Sequence, residues 1–260
     1  MVKIIDAHMH LIVRKKDAYA KEMQKIGVGY AIAIPDNAPP GGKNIDSLLE
    51  KIKDDKRFFA IGTVDILHDN IEFMTNKLDN LFKKRKIKGI KIFPGHDPIY
   101  PTDKRLIPFY KLCIKHNYPL IIHTGMNPRH SEVAKYNNPQ HIVKIAKQFP
   151  KLKIIIAHYF FQKIDYCYKM TKKYKNISFD TSGLQDKWVQ KMAGGKEKVK
   201  RILEKTVKDG KKVIFGTDWP CSRCEIKPAI SLIRSLSISE KEKEDIFFNN
   251  ANKIFRLGLK

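Results

Sequence analysis

Short β-branched runs recur along the chain at nearly even intervals, and that alternation restricts the fold more than any other feature. They read as strands over residues 3–10, 30–35, 58–65, 87–94, 119–124, 153–159, 177–181 and 213–218. Their starts lie about 24 to 36 residues apart, the spacing of strand–helix units. Several are continuously apolar, as in Ile154-Ile155-Ile156-Ala157, which suits strands covered on both faces. Helical periodicity fills the gaps. Met74, Leu78, Leu81 and Phe82 fall on one helix face, Asn138-Pro139 supplies an N-cap and a proline at the first helical position, and Ser239 with Glu242 forms a capping-box pattern. Residues 184–210 hold helical pieces broken at Gly194-Gly195. Eight alternating units predict a closed (β/α)8 TIM barrel of the α/β class, with residues 1–260 as one domain. The competing doubly wound sheet needs a glycine fingerprint after its first strand, and Asp6-Ala7-His8-Met9-His10 offers none.

Composition narrows the setting. No apolar run reaches the roughly 20 residues of a membrane span, and Asp6 interrupts the place where a signal peptide would be apolar. Four cysteines give no disulfide framework, so a reducing, cytoplasmic location is expected. Lys and Arg total 51 against 27 Asp and Glu, a net charge of +24. The lysines stand in scattered groups, such as Lys83-Lys84-Arg85-Lys86, Lys172-Lys173 and Lys211-Lys212. Such groups usually form solvated helix faces, and a functional basic surface is the alternative.

Catalytic residues of a TIM barrel stand at the C-terminal ends of its strands. There the sequence places His8 and His10 on the first strand, His123 on the fifth, His158 on the sixth and Asp218 on the eighth. The i, i+2 spacing puts the first two imidazoles on one face. A single strand histidine is ordinarily a satisfied core residue. Five metal-type side chains at strand ends point instead to a metal site.

These residues carry a resemblance. Asp6-Ala7-His8-Met9-His10, Leu120-Ile121-Ile122-His123-Thr124-Gly125, Ile154-Ile155-Ile156-Ala157-His158 and Phe215-Gly216-Thr217-Asp218-Trp219-Pro220 resemble the amidohydrolase superfamily. They are closest to its amidohydrolase-related branch, which includes aminocarboxymuconate-semialdehyde decarboxylase. Gly89-Ile90-Lys91-Ile92, Phe179-Asp180-Thr181-Ser182-Gly183 and Asn250-Ala251-Asn252-Lys253-Ile254-Phe255 extend the likeness in the same order. It implies that His8, His10, His123 and Asp218 hold one divalent metal, with zinc expected and manganese or iron as alternatives. Catalytic roles fall to Asp218, as ligand and proton acceptor, and to His158, as an outer group that orients water or shuttles a proton. Binuclear relatives bridge two metals through a modified lysine or a glutamate on the fourth strand, where this chain has Lys91. A one-metal site with Lys91 pairing with Asp218 or with substrate is expected.

Substrate choice belongs to the rim. Arg129 on the connection after the fifth strand and His96 after the fourth are candidate contacts beside Lys91, and residues 39–43 are a candidate lid. Cys221 and Cys224 follow Asp218 closely but lack two further ligands for a structural zinc, and Cys113 and Cys167 read as packed helix residues. The leading expectation is a metal-dependent hydrolase acting on an amide, ester or lactone of a small, anionic molecule. A nonoxidative decarboxylase on the same metal site is the alternative. A TatD-type nuclease would suit the charge but normally has a glutamate where Lys91 stands, and a nonenzymatic metal-binding barrel ranks beside it. The expected partner is a small-molecule substrate rather than a membrane. Nucleic acid is a lesser alternative, and an oligomer is compatible with the sequence.

Overall fold

The computed structural model describes residues 3–11, 16–35, 44–125, 131–220 and 225–260. Eight strands follow one another as β1 (Ile4–His10), β2 (Val28–Ile34), β3 (Phe58–Thr63), β4 (Ile87–Ile92), β5 (Leu120–Ile122), β6 (Ile154–Ile156), β7 (Ile177–Asp180) and β8 (Val213–Ile214). Each pairs in parallel with the next, in sequence order from β1 to β8. β8 is too short to close the ring alone, and the residues beyond it do so. Ala7 N–H donates to Phe215 O (2.9 Å), Asp218 N–H to His8 O (2.8 Å) and His10 N–H to Trp219 O (2.7 Å). Gly216 permits this approach, because a Cβ there would lie 2.7 Å from the Cβ of His8. The predicted TIM barrel is the observed fold.

Apolar side chains fill two shells. Ile5, Ala7, Ile32, Ile34, Ile61, Ile121, Ile155 and Ile214 point into the barrel, where Phe248, Ala251, Ile254 and Phe255 of the C-terminal segment join them. The outer shell packs strand residues such as Ile4, Met9, Ile90 and Ile122 against the surrounding helices. Truncating one of these isoleucines to alanine would cost about 2–5 kcal/mol, because so dense an interior collapses only partly around a cavity.

The helices start where the side chains dictate. Met74, Leu78 and Phe82 are buried on helix Ile71–Lys83, whose first turn Asn70 caps through Phe73 N–H. Asn138 caps Pro139–Gln148, Ser239 and Glu242 complete their capping box, and Gly194 and Gly195 separate Lys187–Met192 from Lys196–Lys208 at φ 96° and 105°. Cys113 and Cys167 are buried within helices. Among the described residues no helix is long and apolar enough to cross a membrane.

The strands from β2 to β8 end earlier than the sequence suggests, so that His123 lies just past β5, which stops at Ile122. β6 stops at Ile156 and β8 at Ile214, so His158 and Asp218 lie beyond the ladder in left-handed backbone, with φ 60° and 64°. The reason is local. His158 N–H donates to the carboxylate of Asp180 in place of a ladder partner, and Thr217 N–H is shared between the carboxylate of Asp6 and the carbonyl of His8.

Candidate metal and catalytic centre

β1 carries an irregularity that decides where its histidines point. Ile5 and Ala7 face the barrel interior while Ile4 and Met9 face the helices. Strict alternation from Ala7 would send Met9 inward and His8 outward. The register of β1 against β2 shifts between Asp6 and Met9, and this bulge turns His8 and His10 toward the mouth. Their rings stand 5.5 Å apart. Asp6 anchors the bulge: its buried carboxylate accepts from Thr217 N–H (3.0 Å), Thr217 Oγ1 (2.6 Å), Tyr19 Oη (2.5 Å) and His8 N–H (3.2 Å). Burial nevertheless outweighs these bonds and raises Asp6 to about 6.

Three potential ligands converge. One atom each from His8, His10 and Asp218 lies within 4.8 Å of the others, and Asp218 Oδ1 is 3.3 Å from His8 Nε2 and 3.5 Å from His10 Nε2. The other ring nitrogens are engaged. His8 Nδ1 donates to Asp180 Oδ2 at 2.7 Å, and His10 Nδ1 to Ile34 O at 3.0 Å. These bonds select the tautomer whose Nε2 carries the lone pair. Two lone pairs and one carboxylate oxygen, with a carboxylate and a carbonyl behind the imidazoles, are the donor set and the supporting contacts that a divalent cation takes. The residues therefore fit the metal that the sequence resemblance implies.

The other predicted residues surround this set. His158 is buried, its ring 4.9 Å from that of His8 and 4.8 Å from that of His123. Its Nδ1 lies 2.9 Å from Ser182 Oγ and 3.2 Å from Ser182 O, which orients Nε2 as the acceptor nitrogen. His123 belongs to this ring of imidazoles but falls outside the three-residue cluster. His96 sits at the exposed rim, 4.2 Å from His123. Lys91 is buried on β4, and its Nζ donates at 2.7 Å to His8 Nε2, the lone pair that a bound cation would take in its place, a pairing the sequence does not suggest. Arg129, Cys221, Cys224 and residues 39–43 lie outside the described residues.

Charge in this cluster is set by burial. Desolvation, reinforced by the Lys91 ammonium, lowers His8 to about 3. Partial desolvation and Lys91 lower His96 to about 4, and burial pushes His123 and His158 down as well. Asp218 moves the other way from a buried acid. Burial would raise it, but the facing imidazoles, His158 foremost and His10 through a hydrogen bond, hold it well below the carboxylate range. Neutral imidazoles at His8, His96, His123 and His158 thus stand around the ionised Asp218 carboxylate and the Lys91 ammonium.

Asp180 has a role that its place in the sequence does not disclose. Oδ1 accepts from His158 N–H (3.0 Å), Ser182 N–H (3.1 Å) and Ser182 Oγ, and Oδ2 takes the His8 bond. Those contacts outweigh its burial and keep it ionised. An acid at the inward end of a strand is the available signal, the same one that marks Asp218.

The family model for amidohydrolases matches residues 5–257. The chain belongs to that family. No curated protein matches this amidohydrolase in a sequence search. Solved structures of the same fold do. A probable 2-pyrone-4,6-dicarboxylic acid hydrolase from Acinetobacter baumannii with bound citric acid aligns at TM-score 0.73 and 16% identity, over 98% of this chain and 100% of that one. A 2,6-dihydroxybenzoate decarboxylase complexed with 2,6-dihydroxybenzoate aligns at 0.71 and 17%, over 100% of both. A dihydroxybenzoic acid decarboxylase from Polaromonas sp. with bound manganese and the inhibitor 2-nitroresorcinol aligns at 0.70 and 15%, over 100% of this amidohydrolase and 98% of that chain.

Proposed function

We propose that this amidohydrolase is a divalent-metal-dependent nonoxidative decarboxylase of a small aromatic or unsaturated carboxylic acid. The observation that carries this reading is the convergence of His8, His10 and Asp218 beside the buried Lys91 ammonium, in the mouth of the barrel. Likeness to the two decarboxylases supports it, and on that support we prefer the lyase to the hydrolase expected first. Manganese in one of them gives that ion a place beside zinc as the expected cofactor.

His8, His10 and Asp218 would hold the cation, with His123 beside them, and the cation supplies Lewis-acid charge toward a substrate oxygen when bound. Lys91 adds fixed positive charge where the substrate carboxylate loses its water, an interaction strengthened by low local polarisability. Loss of carbon dioxide breaks one C–C bond and leaves its electron pair on carbon, so one proton must be delivered there. Asp218 and His158 stand where that proton can be held, after uptake from solvent, and then passed on. Asp180 holds the His158 backbone in place and Ser182 its ring. His96 and Arg129 are the proposed rim contacts that select the acid.

Hydrolysis is the second reading, and one observation favours it. Asp218 is ionised at the outset, the state required of a group that takes a proton from water. The similar pyrone hydrolase agrees. Incubation with hydroxybenzoic acids and with lactones in D2O separates the two. The proposal expects released carbon dioxide and one deuterium on the vacated carbon. Lactone opening with solvent oxygen incorporated, and no carbon dioxide from any acid, would establish the hydrolase instead.

A further inference from the structure

Lysines that are scattered in sequence gather on the face of the barrel opposite the mouth. A cavity of about 490 Å³ opens where β6, β7 and β8 begin, lined by Lys153, Lys172, Lys173, Lys175, Lys211, Lys212 and Lys253, with Asp209 as its one acid. A second, of about 600 Å³, lies where β3 and β4 begin, where Lys53, Lys56, Lys84, Arg85, Lys86 and Lys88 outnumber Asp46, Glu50 and Asp55. Residues between them join the two. Lys88 Nζ and the Arg256 guanidinium lie 5.9 Å and 5.5 Å from the ring of Tyr118, and Lys153 donates to the carbonyl of the adjoining Asn117 at 3.1 Å. The charges are close enough to act on one another. Burial lowers Lys88 and Lys153, with Arg85 and Arg256 adding to the first and Arg256 and Lys212 to the second. Lys211 is lowered by burial and by Lys175.

Like charges crowded into concave surface cost stability unless an anion relieves them. The arrangement spans two cavities and the ridge between, so a single small anion would answer only part of it. A repeating anion matches the whole. A lipid surface is the poorer fit, because the exposed large hydrophobic residues among those described, Leu67, Phe73, Tyr100 and Met192, line neither cavity.

We propose that this face, Lys88–Arg256–Lys153 with the two flanking lysine cavities, binds the phosphate backbone of nucleic acid without reading its bases. Such binding is independent of the activity proposed for the mouth. It would come from phosphate contacts and counterion release, so it would weaken steeply with salt and be indifferent to sequence.

The test uses the full chain and a fluorescent 20-base-pair duplex DNA, followed by anisotropy across a salt series. The triple variant Lys172→Glu/Lys175→Glu/Lys212→Glu reverses exposed charges on this face. The control Lys196→Glu/Lys198→Glu/Lys241→Glu makes the same change in net charge on helices elsewhere. We expect the first to weaken binding at least tenfold and to lower the slope of log K against log salt by about 3, at roughly 0.9 for each phosphate no longer neutralised. The control should change both little. Neutral Lys→Gln changes at the same three positions should give a smaller loss in the same direction. Equal loss in the control would assign binding to overall charge and overturn the proposal. So would an absence of DNA binding by the unaltered chain, or variants that lose attachment to phosphatidylserine vesicles but not to DNA.

Discussion

His8 Nδ1 and Asp180 Oδ2 are 2.7 Å apart, and this bond across the barrel couples the proposed metal ligand to the loop that carries His158. It fixes the His8 tautomer and turns Nε2 toward Asp218. Asp180→Asn keeps shape but gives up a charge-assisted acceptor. Metal affinity is expected to fall about 10- to 100-fold, the usual effect of losing such a partner. Titration with manganese or zinc, read by calorimetry, measures it. Unchanged affinity would confine Asp180 to holding the His158 turn.

His158 adopts φ 60°, a conformation that asparagine accepts more readily than other side chains, so His158→Asn is the least disruptive variant. It should retain the metal and lose about 10² to 10⁴ in kcat, because proton handling fails while the ligands remain. Metal content measured beside turnover decides. Parallel loss of both would make His158 a ligand.

Lys91→Met removes the ammonium beside His8 while preserving most of the side-chain volume. With a carboxylate substrate identified, KM should rise at least about tenfold as a charge-assisted interaction disappears, with the metal retained. A fall in kcat alone at unchanged KM would place Lys91 outside substrate binding.

The metal-free protein should lose stability in mild acid. His8 has a folded pKa of about 3, below its ordinary 6.5, so the folded state excludes a proton that the unfolded chain accepts. Its stabilising contribution is complete above about 6.5 and is lost progressively as pH falls toward about 3. His123 and His158 shift in the same direction. Thermal unfolding between pH 7.5 and 4.5 should show a falling midpoint, and His8→Gln should flatten the dependence. An identical slope in that variant would remove His8 from the effect.

The barrel is legible in the sequence because its units are local: each strand and capped helix declares itself within a dozen residues. His8, His10 and Asp218 are legible for a related reason, since strand ends place side chains at the mouth whatever the loops do. Asp180 is not, because its meaning lies in a bond to a residue 172 positions away. Periodicity extends the sixth strand through His158, whereas a buried carboxylate that periodicity cannot sense takes the His158 N–H and ends the ladder. Lys91 stands out as a lysine on a buried strand, yet its partner is His8, which spacing cannot supply. The basic face is the clearest case. Its lysines look like separate solvated clusters until the barrel brings the starts of its strands together.

Elemental analysis of protein purified without chelators tests the central claim, a metal held by His8, His10 and Asp218, most directly. The unaltered chain should carry about one equivalent of divalent metal, and the folded His8→Ala/His10→Ala variant less than about a tenth, since two of the ligands a divalent site needs are gone. Equal metal in the two proteins, or none in the unaltered chain after incubation with manganese or zinc, would contradict the account.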